Sequence, residues 1–168
     1  MSGKLFAAIL AALAIITGVS VYYLQVYGYY DEVTPDPAGL VPDGGANPQL
    51  GALRAIDADS SPLRFRACFT IADPDAMIVG AEPYAGAVPL TAPGWFDCFD
   101  AADITEALAE GEAQAWLVAK NIEFGVDRIM ALYPDGRAYV WHQLNNCGEM
   151  AYDGTPVGET CPPRKETE

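Results

Sequence analysis

Val126-Asp-Arg-Ile-Met-Ala-Leu-Tyr-Pro-Asp-Gly-Arg-Ala-Tyr-Val-Trp-His-Gln-Leu144 reads as two strands folded back on each other. Val126–Tyr133 and Arg137–Leu144 are rich in β-branched and aromatic residues, and Pro134-Asp135-Gly136 between them has turn chemistry. Working outward, Ala113–Ile122 reads as a further strand. Before it, Asp100 or Asp103 can cap a helix over Ala101–Glu110, with Ile104, Ala107 and Leu108 on one face and Gly111 suited to the C′ position. Leu63–Ile71 alternates as a strand, with Leu63, Phe65, Ala67, Phe69 and Ile71 on one face and Arg64, Arg66, Cys68 and Thr70 on the other. Asp73–Gly94 is irregular and proline-rich, with short edge strands expected at Met77–Val79 and Tyr84–Pro89. The aromatics of Gly94–Phe99 are expected to be buried. This order predicts an α+β fold, a small antiparallel-sheet domain with one main helix.

Four cysteines, Cys68, Cys98, Cys147 and Cys161, allow three pairings. Cys68–Cys98 with Cys147–Cys161 is expected, because each pair closes a local segment of proline- and glycine-rich chain. No C-x-x-C occurs, so neither a thioredoxin-type redox motif nor a haem-attachment motif is present.

The chain opens differently. Leu5–Leu24 carries no charge, and as a helix it would be roughly 30 Å long, the thickness of a hydrocarbon core. Tyr22, Tyr23, Tyr27, Tyr29 and Tyr30 cluster around Gln25 at the end of the run, at headgroup height. Lys4 before the run, with Asp31 and Glu32 after it, places the N-terminus in the cytoplasm and the remainder outside. A cleaved signal peptide is the competing reading, since Gly18-Val19-Ser20 is a small-x-small site. The length of the run and its continuation into the tyrosines favour a retained anchor. Predicted boundaries are therefore residues 1–30 as a transmembrane anchor, 31–52 as an extended Pro/Gly-rich linker, and 53–168 as an exported domain whose tail frays after Pro163.

Charge and motifs exclude more than they assign. Nine Lys and Arg against 23 Asp and Glu give a net charge of −14, a surface that repels nucleic acid. The single histidine, His142, lies in a strand and reads as structural, and no nucleophile motif accompanies it. Asp57/Asp59 and Asp73/Asp75 have D-x-D spacing but do not continue into a calcium loop, so both read as turn starts. No cysteine–histidine spacing suits zinc, and no phosphate- or dinucleotide-binding glycine motif occurs. No catalytic residue, metal or cofactor is predicted. Arg64 and Arg66, on one strand face beside Cys68, could receive a carboxylate. Internal pairing with acids such as Asp97 or Asp100 is the favoured reading.

The blocks Tyr22–Tyr27, Ile56–Phe69, Ala92–Asp100 and Tyr133–Tyr139 resemble an uncharacterised family of alphaproteobacterial, N-terminally membrane-anchored proteins. The resemblance runs from the anchor to about Leu144 and leaves out residues 41–49 and the Cys147–Cys161 tail. It implies a Gram-negative inner-membrane setting with the domain in the periplasm, and it carries no activity, the family being a domain of unknown function. Two functional classes are thus expected. The first is a non-catalytic accessory or assembly component of a larger membrane complex, held in the bilayer by residues 5–24. The second is a small-molecule or peptide-binding module whose pocket is formed by Arg64 and Arg66 with Trp95, Trp116 or Trp141.

Overall fold

The computed structural model of the protein describes residues 2–42 and 49–163, and these form two compact units that meet between Tyr30 and Asp31 in the sequence. The first unit is helix α1, Gly3–Tyr23, capped by Ser2, whose Oγ accepts from the Leu5 amide at 3.4 Å. It continues as one wider, π-type turn over Leu24–Gly28. None of its residues is buried. The Gly3–Gly28 stretch contains an 18-residue window of mean hydropathy 2.3, so by length and composition it can cross a membrane. Tyr27 stacks on Tyr23 and meets Tyr22 edge-on.

The second unit is built on a six-stranded antiparallel sheet: β1 Asp31–Glu32, β2 Leu50–Asp57, β3 Arg66–Ile71, β4 Gln114–Glu123, β5 Val126–Leu132 and β6 Arg137–Leu144. The spatial order is β1-β2-β3-β6-β5-β4. The β5–β6 hairpin forms as its sequence predicts, with Leu132 opposite Ala138 and Val126 opposite Leu144. Its turn depends on Gly136, which sits at φ +88°, where a Cβ would run into the Ile71 carbonyl oxygen. That close approach is used, since the Gly136 carbonyl accepts from the Ile71 amide at 2.8 Å and so joins the turn to β3.

Both faces of the sheet are covered. On one, Ala67, Phe69, Val118, Met130, Leu132, Ala138 and Val140 form a core with Leu40, Val41 and Met77. On the other lie helix α3 and the aromatic segment before it. That helix spans Ala101–Glu110 and is capped by Asp100, whose Oδ1 accepts from the amides of Ala102 and Asp103. It ends at Gly111, which adopts φ +76°; of the three residues the periodicity selects, Ile104 and Ala107 are buried and Leu108 is half-buried. Of the three aromatics expected to be buried, Phe96 and Phe99 are and Trp95 is half-buried; Phe99 meets Tyr139 and Trp141 edge-on. Cys68 bonds Cys98 and Cys147 bonds Cys161, the expected pairing.

Three expectations need correction. The proline- and glycine-rich stretch 31–52 is not a free linker at either end: Asp31 and Glu32 pair with β2, the Val33 amide bonds the Ala55 carbonyl, Leu40 and Val41 are buried in the core, and Leu50–Ala52 belong to β2. Its few apolar side chains find the sheet face, which composition alone does not reveal; the middle of the stretch, 43–48, lies outside the described residues. Second, β3 starts at Arg66 rather than Leu63, because Pro62-Leu63 turns the chain and the Arg64 amide bonds back to Ser61. Third, Met77 ends a short helix α2, Pro74–Met77, where Asp73 caps through the Ala76 amide and proline fills the first turn. Residues 84–89 form no strand; near them, Pro83 makes one isolated bridge to Trp116 on β4. The predicted fraying past Pro163 concerns residues 164–168, outside the described set.

Candidate functional site

The predicted binding residues do not gather into one pocket. Arg66 opens β3 directly across from Trp141, and both are buried. Its guanidinium donates from Nε to the Leu90 carbonyl at 2.7 Å, and from Nη1 to those of Leu63 and Phe65 at 2.7 and 2.6 Å. It also lies over the Phe99 ring at 5.7 Å. This arginine therefore fixes the approach to β3 and the 90–91 segment together, a structural use of its fork of donors. Arg64 precedes the strand and is half-buried. Asp97, a suggested partner for these arginines, pairs instead with Arg54 at 2.6 Å, and Asp100 caps α3. The Arg54 hydrogen bond and charge hold the Asp97 carboxyl below its usual range. Trp141 donates to the Gln143 side chain, Trp116 packs from β4 onto the opposite core, and Trp95 meets Phe96 edge-on.

His142 is engaged on both ring nitrogens. Arginine can only donate, so Arg128 Nε at 3.0 Å makes Nε2 the acceptor, and the proton sits on Nδ1, facing the Pro62 carbonyl at 2.6 Å. The ring stacks on Phe65 at 4.7 Å, and the Arg128 guanidinium lies over the same phenyl at 5.0 Å. Burial, with a smaller push from the Arg128 and Arg66 charges, brings His142 down to about 4, against the opposing Pro62 bond. Arg128 also donates to the Gly39 carbonyl at 2.7 Å, so this network holds the 37–41 segment against the sheet. Burial lowers the pKa of Arg128, opposed by Asp57; it raises that of Asp57, opposed by the Ala58 amide bond and the Arg128 charge.

The richest polar geometry lies where sequence reasoning did not look. Asp127, on β5, is 2% exposed. Its Oδ1 accepts from the Asn121 amide at 2.8 Å and the Asn145 side-chain amide at 2.7 Å, and its Oδ2 from the Tyr84 hydroxyl at 3.3 Å. The β4 backbone is shaped for this. Between Ala119 and Glu123 the register with β5 shifts, and Asn121 takes φ +50°, a conformation asparagine tolerates better than most residues. Asn145 also bonds the Asn121 side chain at 2.9 Å. Around this group opens a cleft of about 500 Å³, lined by Glu82, Tyr84, Lys120, Asp127, Asn145 and Glu159 among others. Lys120 and Glu159 pair across it, which raises the pKa of Lys120. Tyr84 is pushed up to about 12, first by burial and then by the Asp127 charge and hydrogen bond. The cleft thus offers a neutral phenol, a buried carboxylate and an ion pair, and can hold a small polar ligand by hydrogen bonds. One signal was present in the sequence: Asp127 and Arg128 interrupt an otherwise apolar strand.

Among the described residues no group of three or more His, Cys, Asp or Glu side chains is arranged to hold a metal ion. The model of a family described as "Family of unknown function (DUF6446)" matches residues 43–162. That range takes in β2 to β6, the cleft and both disulfides, including the Cys147–Cys161 tail that the residue blocks left out. No curated protein and no solved structure matches the chain.

Proposed function

We propose, for a chain that belongs to this DUF6446 family of unknown function, the role of a membrane-tethered, non-catalytic accessory or assembly component. The single observation that carries the reading is helix α1 with its π-type extension: 26 residues, none of them buried, that contain an 18-residue stretch of mean hydropathy 2.3. A helix with that surface needs an apolar surrounding, and a bilayer supplies it. Lys4 on one side and the acidic residues after Tyr30 favour a cytoplasmic N-terminus. The resemblance to alphaproteobacterial anchored proteins supports the inner membrane, with the domain in the periplasm, where two disulfides would persist.

A non-catalytic role draws support from how the strongest polar side chains are used. Both nitrogens of His142 hold the fold together, and so do the Arg66 and Arg128 guanidinium groups. The alternative binding module on the Arg64/Arg66 face has less support, because Arg66 is buried against backbone carbonyls. The partner is proposed to be a larger membrane-protein complex that α1 joins within the bilayer. The test is a mild-detergent pull-down of the tagged full-length protein from native membranes, repeated with α1 replaced by an unrelated apolar helix. A stoichiometric membrane complex that is lost on replacement is expected. Recovery of the protein alone in both cases would overturn the accessory role.

A further inference from the structure

The tail after β6 is a small hairpin tied to itself. Met150 bridges Pro156, the Ala151 amide bonds the Thr155 carbonyl at 2.8 Å, and the Val157 and Gly158 amides both bond the Glu149 carbonyl. At its base the Gly148 amide bonds the Glu159 carbonyl at 2.9 Å, and Cys147–Cys161 closes the loop. The segment lends Asn146, Glu149 and Glu159 to the wall of the polar cleft, and the Glu159 carboxylate reaches Lys120 on β4. That ion pair is half exposed, so it holds the segment weakly by itself. The two disulfides also differ in surroundings. Cys68 is buried between β2 and β6 with only 7% exposure, although its partner Cys98 is partly exposed; Cys147 and Cys161 are both partly exposed, so the second bridge has no buried sulfur.

We propose that Cys147–Cys161 is a redox-responsive latch on the cleft. A dithiol reductant attacks one sulfur of the bridge as its thiolate and forms a mixed disulfide. Its second thiolate then displaces the cysteine; the reductant leaves as a disulfide, and Cys147 and Cys161 leave as two thiols after taking up two protons. With the bridge open, the base of the hairpin separates, Glu159 leaves Lys120, and the cleft around Tyr84, Asp127 and Asn145 opens to solvent. The sheet and Cys68–Cys98 remain intact, because the tail bears none of the core side chains.

The experiment is a graded dithiothreitol series on the full-length protein in mild detergent, with alkylation and mass spectrometry for the cysteines and hydrogen exchange for the backbone. Cys147 and Cys161 should become alkylated at least about tenfold earlier in reductant concentration than Cys68 and Cys98. In that half-reduced form the Gly148, Val157 and Gly158 amides should exchange at least about tenfold faster, with β3 and β6 unchanged. Two bridges opening together, or tail amides that stay protected after theirs has opened, would overturn the latch. A Cys147→Ser/Cys161→Ser double variant should match the half-reduced pattern without reductant; should it fail to fold, the wild-type series still decides. Lys120→Gln with the bridge intact should leave tail exchange as it is. If it frees the tail equally, the ion pair is the latch and the disulfide is not.

Discussion

Acidification should destabilise the domain through His142 in a definite window, and the size of the loss follows from the surroundings of that ring. In the folded chain the imidazole is neutral, with Nδ1 donating to Pro62 and Nε2 accepting from Arg128, and its pKa is about 4. In the unfolded chain it returns to about 6.5. The folded pKa is the lower one, so the unfolded chain binds the proton more readily. Stability is therefore fully present above about pH 6.5 and is lost as the pH falls through about 4. The difference of about 2.5 units corresponds to a loss of about 3 kcal/mol. Other groups separate by sign or by range. Asp57 has a raised pKa, so it stabilises the fold as pH falls, the opposite sign. Asp97, Asp135 and Asp153, with lowered values, lose their contributions only below the ordinary carboxylate range. Urea unfolding of the full-length protein in detergent, followed by tryptophan fluorescence at a series of pH values, measures the effect against His142→Gln, whose amide can both donate and accept without titrating. The wild type should lose about 3 kcal/mol more than the variant between about pH 7 and about pH 4. Equal slopes, or an imidazole that titrates near 6.5 by NMR, would refute the argument.

Arg66→Met should cost about 3 kcal/mol in the same urea assay, because the Leu63, Phe65 and Leu90 carbonyls lose their charged donor. Gly136→Ala should destabilise by more than about 1 kcal/mol, since its Cβ meets the Ile71 carbonyl at a positive φ; an unchanged urea midpoint would contradict the turn geometry. Asp127→Asn should bring the Tyr84 phenol below about 12 while burial keeps it above about 10, read as an ultraviolet alkaline titration against Tyr84→Phe.

What the sequence made legible was whatever depends on near neighbours. The β5–β6 hairpin, the Asp100 cap and Gly111 end of α3, and the two local disulfides each rest on signals within a few tens of residues. What it concealed depends on tertiary placement. Leu40 and Val41 stand among prolines, glycines and acids, so their segment reads as a linker until the sheet face they cover is known. Alternation placed Arg66 on one strand face but could not say that the face is roofed by the 90–99 segment. The cleft was the hardest to foresee, because Tyr84 and Asn145 reach Asp127 from distant parts of the chain. Asn121, nearer in sequence, turns its amide to Asp127 through the irregular register of β4 on β5, which alternation does not reveal.

The proposed arrangement is a retained apolar helix that tethers a disulfide-closed domain on the far side of a membrane. Carbonate extraction of native membranes, with N-terminal sequencing of the recovered protein and protease treatment of spheroplasts, tests it most directly. The expected chain stays in the membrane pellet, retains residues 3–28 and loses its domain to external protease. A soluble chain whose N-terminus begins after Ser20, or a domain shielded until the spheroplasts are lysed, would contradict it.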